Sequence, residues 1–352
     1  MTLVAGFRAY GTPALIGDLM ISDQAGHFRL RKKLVLMSEN FALAWTGELI
    51  AAESVIRTLH ASLNLQSVTL ESLKSVLTEP STSDLGSVSV HLICWVIDGG
   101  GQHCFRWNSS YPQELFPGEP LYDGSGGTTA EGIIRTEAFH HPIHPEKNDP
   151  HEINRRVLNI TTRLMGYEML GPSTKLWRFG FAYEILLLLE GRRFKYLDNT
   201  LYIPLIIQMD ENGHYVSVQF GAGIFKYEAS RNCSTVHVMN PFTGEMAAHI
   251  VSPPGPTLPE VTECENDLAR RITTKRYVFP YESDYYCFAY HFVSASYATP
   301  VVYTILPKAD LPLAFLRAEF SANFIMIKIN PAWAEYTFKV VRDDDQANLR
   351  SH

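Results

Sequence analysis

Thr2, directly behind the initiator Met1, is the residue of this sequence best placed to do chemistry. Methionine is removed efficiently when a small residue follows, so the mature chain is expected to begin with a free threonine. Such a residue fills two roles at once. Its hydroxyl attacks a carbonyl carbon, while its own α-amine, with a reference pKa of about 7.7 to 8.0, accepts the proton at neutral pH. The pair still needs a cation that tunes amine and hydroxyl, a carboxylate that holds the cation, and a backbone N–H for the oxyanion.

Other chemistries are less well supplied. His140, His141, His144 and His151 crowd a proline-rich stretch with Glu146 and Asp149, without the i, i+4 helical spacing of zinc ligands. They read as a solvated loop, so neither a metal nor a cofactor is expected. Gly124-Ser125-Gly126-Gly127 could cradle a phosphate at the start of the helix that follows, but the lysine-bearing P-loop pattern is missing. The aromatic run from Tyr281 to Phe292 has no interleaved basic residues and reads as core-filling strand. Cys94, Cys104, Cys233, Cys264 and Cys287 are odd in number and widely spaced, which reads as free thiols.

The elements that must position Thr2 follow from periodicity. Residues 3–10 and 14–17, then 34–37 and 41–45, read as two hairpins. After Thr46, Leu49, Ala52, Val55, Ile56, Leu59 and Leu63 recur at helical spacing, with Thr46 as the expected cap. A second helix is predicted over 70–77, capped by Thr69, and strands over 87–97 and 104–107. Two more helices are predicted over 129–139 and 152–170. Strands resume over 177–189, 201–208 and 215–220, and further strands with few helix signals continue beyond Gly221. Pro253-Pro254-Gly255-Pro256 reads as a linker. Paired helices between blocks of strands predict a layered α+β architecture.

In order and spacing, Thr2 to Phe7, the apolar run ending in Gly17-Asp18, Lys33 to Ser38, and Ala44-Trp45-Thr46-Gly47 opening a helix resemble the successive motifs of the proteasome-like N-terminal nucleophile hydrolases, the proteasome β-subunit and HslV type. The resemblance implies a four-layer αββα sandwich over residues 1–225, followed by a β-rich extension of unknown role over 226–352. It implies Thr2 as nucleophile, Asp18 as the buried acid, Lys33 as the cation, and Gly47 as the oxyanion donor. Ser125 would support the terminal amine, Trp45 would line the substrate pocket, and Asp210 to Gly213 would form a late hairpin turn. Where the family has an Asp and a Ser that complete the support of the amine, Arg178 to Glu184 supplies neither. A peptide or small amide substrate and a homo-oligomer are implied in the same way. The alternative is a catalytically inactive member serving as a binding or assembly module. Read singly, Asp18 ends a strand and Lys33 belongs to a solvated basic run.

Composition bounds these readings. The chain has 352 residues, 46% hydrophobic and 19% charged, enough for a sizeable core and far from the signature of disorder. With a net charge of -7 and no basic run longer than Arg29 to Lys33, a nucleic-acid partner is not expected. No apolar stretch approaches the roughly 20 residues needed to span a bilayer, and no secretory signal opens the chain, so a cytoplasmic location without membrane contact is expected.

Overall fold

A computed structural model describes residues 2–22, 28–83, 85–139, 150–170, 182–189, 193–212, 215–221, 223–255, 259–274, 279–280, 282–293, 302–307, 316–320 and 325–329. Strands β1 (Val4–Ala9) and β2 (Thr12–Asp18) pair as a hairpin. After the short β3 (Met20–Ser22) and β4 (Phe28–Leu30), a second hairpin joins β5 (Leu34–Ser38) to β6 (Phe41–Gly47). Helices α1 (Leu49–Ser62), α2 (Leu70–Thr78) and α3 (Pro80–Ser83) come next, then β7 (Val90–Asp98), β8 (Gly101–Asn108), β9 (Leu115–Pro117) and β10 (Leu121–Asp123). Two longer helices, α4 (Gly127–Phe139) and α5 (Pro150–Leu170), precede β11 (Tyr183–Leu189) and β12 (Arg193–Tyr196). The remainder runs through β13 (Thr200–Met209), β14 (Tyr215–Phe220), β15 (Ile224–Glu228), β16 (Ser234–Met239), β17 (Met246–Val251), α6 (Pro259–Thr273), β18 (Tyr285–Val293), β19 (Val302–Pro307), β20 (Leu316–Phe320) and β21 (Ile325–Ile329).

These strands build two five-stranded sheets, in the orders β10-β1-β2-β11-β12 and β5-β6-β7-β8-β9, one of seven strands, β17-β16-β15-β13-β18-β19 with β14 on β13, and two two-stranded ribbons, β3-β4 and β20-β21. Side-chain alternation sets the layers. In β6, Phe41, Leu43 and Trp45 enter the core beneath α1 and α2, whereas Ala42 and Ala44 enter the core between the two five-stranded sheets. Helix α2 starts at a capping box in which Thr69 and Ser72 exchange side-chain to backbone hydrogen bonds. Helix α1 has no such cap: its N-cap is Glu48, which makes no side-chain bond, and Thr46 instead donates to Asp123 Oδ1 at 3.2 Å.

The expected four-layer αββα sandwich, with helices covering the outside, is not what the chain forms. Strand outweighs helix by 45% to 26% among the described residues, because a third, mixed sheet, in which β13 and β18 run parallel, adds to the two antiparallel ones. Helix α5, expected on the surface, is an inner layer. It packs on β1, β2 and β11 on one side and on β13, β18 and β19 of the seven-stranded sheet on the other. Its polar residues account for the difference. Asn154 Nδ2 donates to Tyr285 Oη at 2.8 Å, and Thr161 Oγ1 lies 3.2 Å from Tyr202 Oη, so positions that read as solvent-facing are buried against a third sheet. That sheet begins at Thr200 and draws strands from both sides of residue 225, which itself lies in β15. Among the described residues, no helix is long and apolar enough to cross a membrane.

Candidate active site around Thr2

The start of β1 and the end of β2 bring Thr2 and Asp18 together. The N–H of Leu3 donates to Asp18 Oδ1 at 2.9 Å, and the N–H of Asp18 donates to the Leu3 carbonyl at 3.0 Å. Asp18 is fully buried and takes the Lys33 ammonium on that same Oδ1, while the ammonium also donates to the Met20 carbonyl. Both side chains are at 0% exposure. A buried ion pair of this kind is tolerated only where hydrogen bonds replace the lost water, and the Leu3 N–H and Met20 carbonyl supply them.

From the other side, the turn before α4 clasps Thr2. Its N–H donates to Ser125 Oγ at 3.2 Å, and its carbonyl accepts from the Gly126 N–H at 3.3 Å. Gly124 makes this fit possible: at φ 92° a Cβ there would lie 2.0 Å from the Thr2 carbonyl oxygen. Hydrogen bonds thus tie Ser125 to the Thr2 N–H, and Lys33 through Asp18 to the N–H of Leu3, the next residue along the chain. Gly47 is one step removed. It is exposed at the end of β6 with φ 100°, and its neighbour Thr46 is tied to Asp123, which precedes Gly124. Trp45 is not at the site. It is 1% exposed in the core under α1, its indole N–H on the Lys32 carbonyl, because alternation along β6 turns it to the face opposite Thr46. Asp210 and Asn212 form the turn between β13 and β14, and Gly213 lies outside the described residues.

Several residues that the sequence does not single out reinforce this arrangement. Lys32, also at 0% exposure, forms an ion pair with Glu184 Oε1 at 3.1 Å, donates to Ser234 Oγ at 2.8 Å, and stands 3.9 Å from the Tyr196 ring centre. Burial drives the Lys32 pKa below its ordinary value against the pull of Glu184. Glu184 Oε2 in turn accepts the N–H groups of Lys33 and Leu34, at 3.0 and 3.2 Å, and Oε1 accepts the Tyr227 hydroxyl at 2.6 Å. The carboxylate therefore fixes the backbone that carries Lys33. It stands at the end of the segment lacking the family's Asp and Ser, of which residues 178–181 are outside the described residues.

Next to the clasp, a cleft of about 550 Å³ is lined by His91, Arg106, Phe116, Tyr122, Asp123 and Glu131, among others. His91 Nδ1 is 2.8 Å from Asp123 Oδ2. Burial opposes ionisation of Asp123, but His91, the Gly124 N–H and the Thr46 hydroxyl outweigh it and hold the carboxyl below its usual range. Among the described residues no group of His, Cys, Asp and Glu gathers as metal ligands. His140, His141 and His144 fall outside them, and His151 lies in α5. No protein-family model matches the chain, and a search of curated proteins finds no similar one.

Proposed function

We propose that the chain is an amide hydrolase whose nucleophile is Thr2, acting after removal of Met1. One observation carries the reading: a fully buried lysine ammonium shares a carboxylate oxygen with the backbone N–H of the residue following the threonine. The Lys33–Asp18 pair fixes the Leu3 N–H and with it the backbone that carries the freed α-amine, whose ordinary pKa of about 7.7 to 8.0 already leaves a base at neutral pH. Ser125 Oγ, already a partner of the Thr2 nitrogen, orients that amine.

In this reading the Thr2 hydroxyl adds to the amide carbon while its proton passes to the α-amine. The Gly47 N–H receives the oxyanion. Collapse breaks the C–N bond, and the α-ammonium returns its proton to the leaving amine. The resulting ester is hydrolysed by a water that the same amine deprotonates. The reading includes peptide or small amide substrates, a cytoplasmic location and assembly as a homo-oligomer, in keeping with the family the sequence resembles.

Hydrolysis of a panel of fluorogenic peptide amides tests it. Thr2→Ser, which keeps both hydroxyl and amine, is expected to retain turnover, and Thr2→Ala is expected to lower it about a thousandfold or more. Equal rates for Thr2→Ala and the unsubstituted chain would remove Thr2 from the chemistry.

A further inference from the structure

We infer that Arg106 reads a carboxylate on the substrate, so that the cleft beside Thr2 selects amides carrying an acidic group close to the scissile bond. The inference rests on the proposed role of Thr2 for its hydrolytic consequence, but the binding site stands on its own geometry. Two carboxylates line the cleft besides Arg106, and each already has a partner: Asp123 with His91, and Glu131 with Arg135 at 2.9 Å. The Arg106 side chain makes no ion pair or hydrogen bond among the described residues. Its guanidinium lies 5.6 Å from the centre of the Phe116 ring, a platform that leaves its N–H donors for a guest.

Register places this group relative to the nucleophile. Thr46, His91 and Asn108 lie side by side across β6, β7 and β8, and Ala44, Ile93, Arg106 and Phe116 form the row two residues further along. Two residues of strand span about 7 Å. Arg106 therefore lies two strands across and two residues along from Thr46, about 12 Å away by backbone spacing, and one strand from the row of His91, which meets Asp123 next to the Gly124 turn that grips Thr2. The planar guanidinium fork matches a carboxylate in two parallel hydrogen bonds. The neighbouring carboxylates Asp123 and Glu131 make a doubly charged phosphate a poorer guest than a singly charged carboxylate.

Equilibrium binding to the Thr2→Ala chain separates this inference from the reading of Thr2, because it needs no turnover. The probes are end-blocked tetrapeptides with a central Glu, Gln or Lys, and the Gln peptide with a free C-terminal carboxylate. The Glu peptide is expected to bind at least about tenfold tighter than the Gln peptide, a margin typical of one charge-assisted contact. Tighter binding of the free-terminus peptide instead would assign Arg106 to a chain-end carboxylate. Arg106→Gln is expected to abolish the discrimination, Arg106→Lys to keep part of it, and Arg106→Glu to turn it towards the Lys peptide. Equal binding of all four peptides, or discrimination that survives in Arg106→Gln, would overturn the inference. Discrimination in binding with no hydrolysis by the unsubstituted chain would leave Arg106 in place and remove Thr2. Hydrolysis that ignores the acidic group would do the reverse.

Discussion

Asp123 shows how one side chain ties the candidate site together: it takes His91 on one oxygen and Thr46 with the Gly124 N–H on the other. Its carboxyl is held below the ordinary aspartate range. A group with a depressed folded-state pKa contributes stability that is complete above the unfolded value, near pH 4, and is lost as pH falls through the folded value. The unsubstituted chain is therefore expected to lose stability between pH 5 and about pH 3 more steeply than Asp123→Asn, as urea midpoints at the two pH values will show; parallel losses would contradict the assignment. At this scale the sequence was half legible. Ser125 meets the Thr2 N–H, and Lys33 and Asp18 meet the Leu3 N–H next to it. Lys32 and Glu184 were unreadable, because nothing local distinguishes a buried lysine in a basic run from a solvated one. Trp45 was assigned to the wrong surface, since a one-residue step along a strand reverses the face.

Among the elements, the turn before α4 is the one whose backbone the site depends on. Gly124→Ala puts a Cβ against the Thr2 carbonyl at a positive φ. It is expected to cost about 1–3 kcal/mol and to slow acylation of Thr2 by a reactive ester at least about tenfold. Gly86→Ala serves as the control: its φ is 67° but open space surrounds the added methyl, so it should cost about 1 kcal/mol and leave acylation unchanged. Acylation equally slow in both variants would mean that the clasp does not position Thr2. The hairpins of β1–β2 and β5–β6 and the Thr69 cap were legible because alternation and capping are local effects. Helix α6 was missed although Val261, Cys264, Leu268 and Ile272 recur at helical spacing, because the stripe is thin and only Val261 and Leu268 of it are buried apolar side chains.

Across the whole molecule, the Lys32–Glu184–Tyr227 cluster joins the first 40 residues to β11 and the seven-stranded sheet. Lys32→Met strands a buried carboxylate and is expected to cost about 3–5 kcal/mol. The double variant Lys32→Met, Glu184→Gln should cost less than the sum of the single changes by at least about 1 kcal/mol in urea unfolding; simple additivity would show the pair to be energetically unlinked. Layering was the least legible property. Periodicity reports that α5 has an apolar face but not that a third sheet covers its polar one, where Asn154 and Thr161 meet tyrosines from strands later in the chain. The Thr2 chemistry that this assembly is proposed to support has a direct test in the intact mass of the protein purified from its own cells and treated with a β-lactone. The account predicts a chain lacking Met1 that gains one acyl group, mapped to Thr2 and absent from Thr2→Ala; a chain that keeps Met1 and leaves Thr2 unmodified would contradict it.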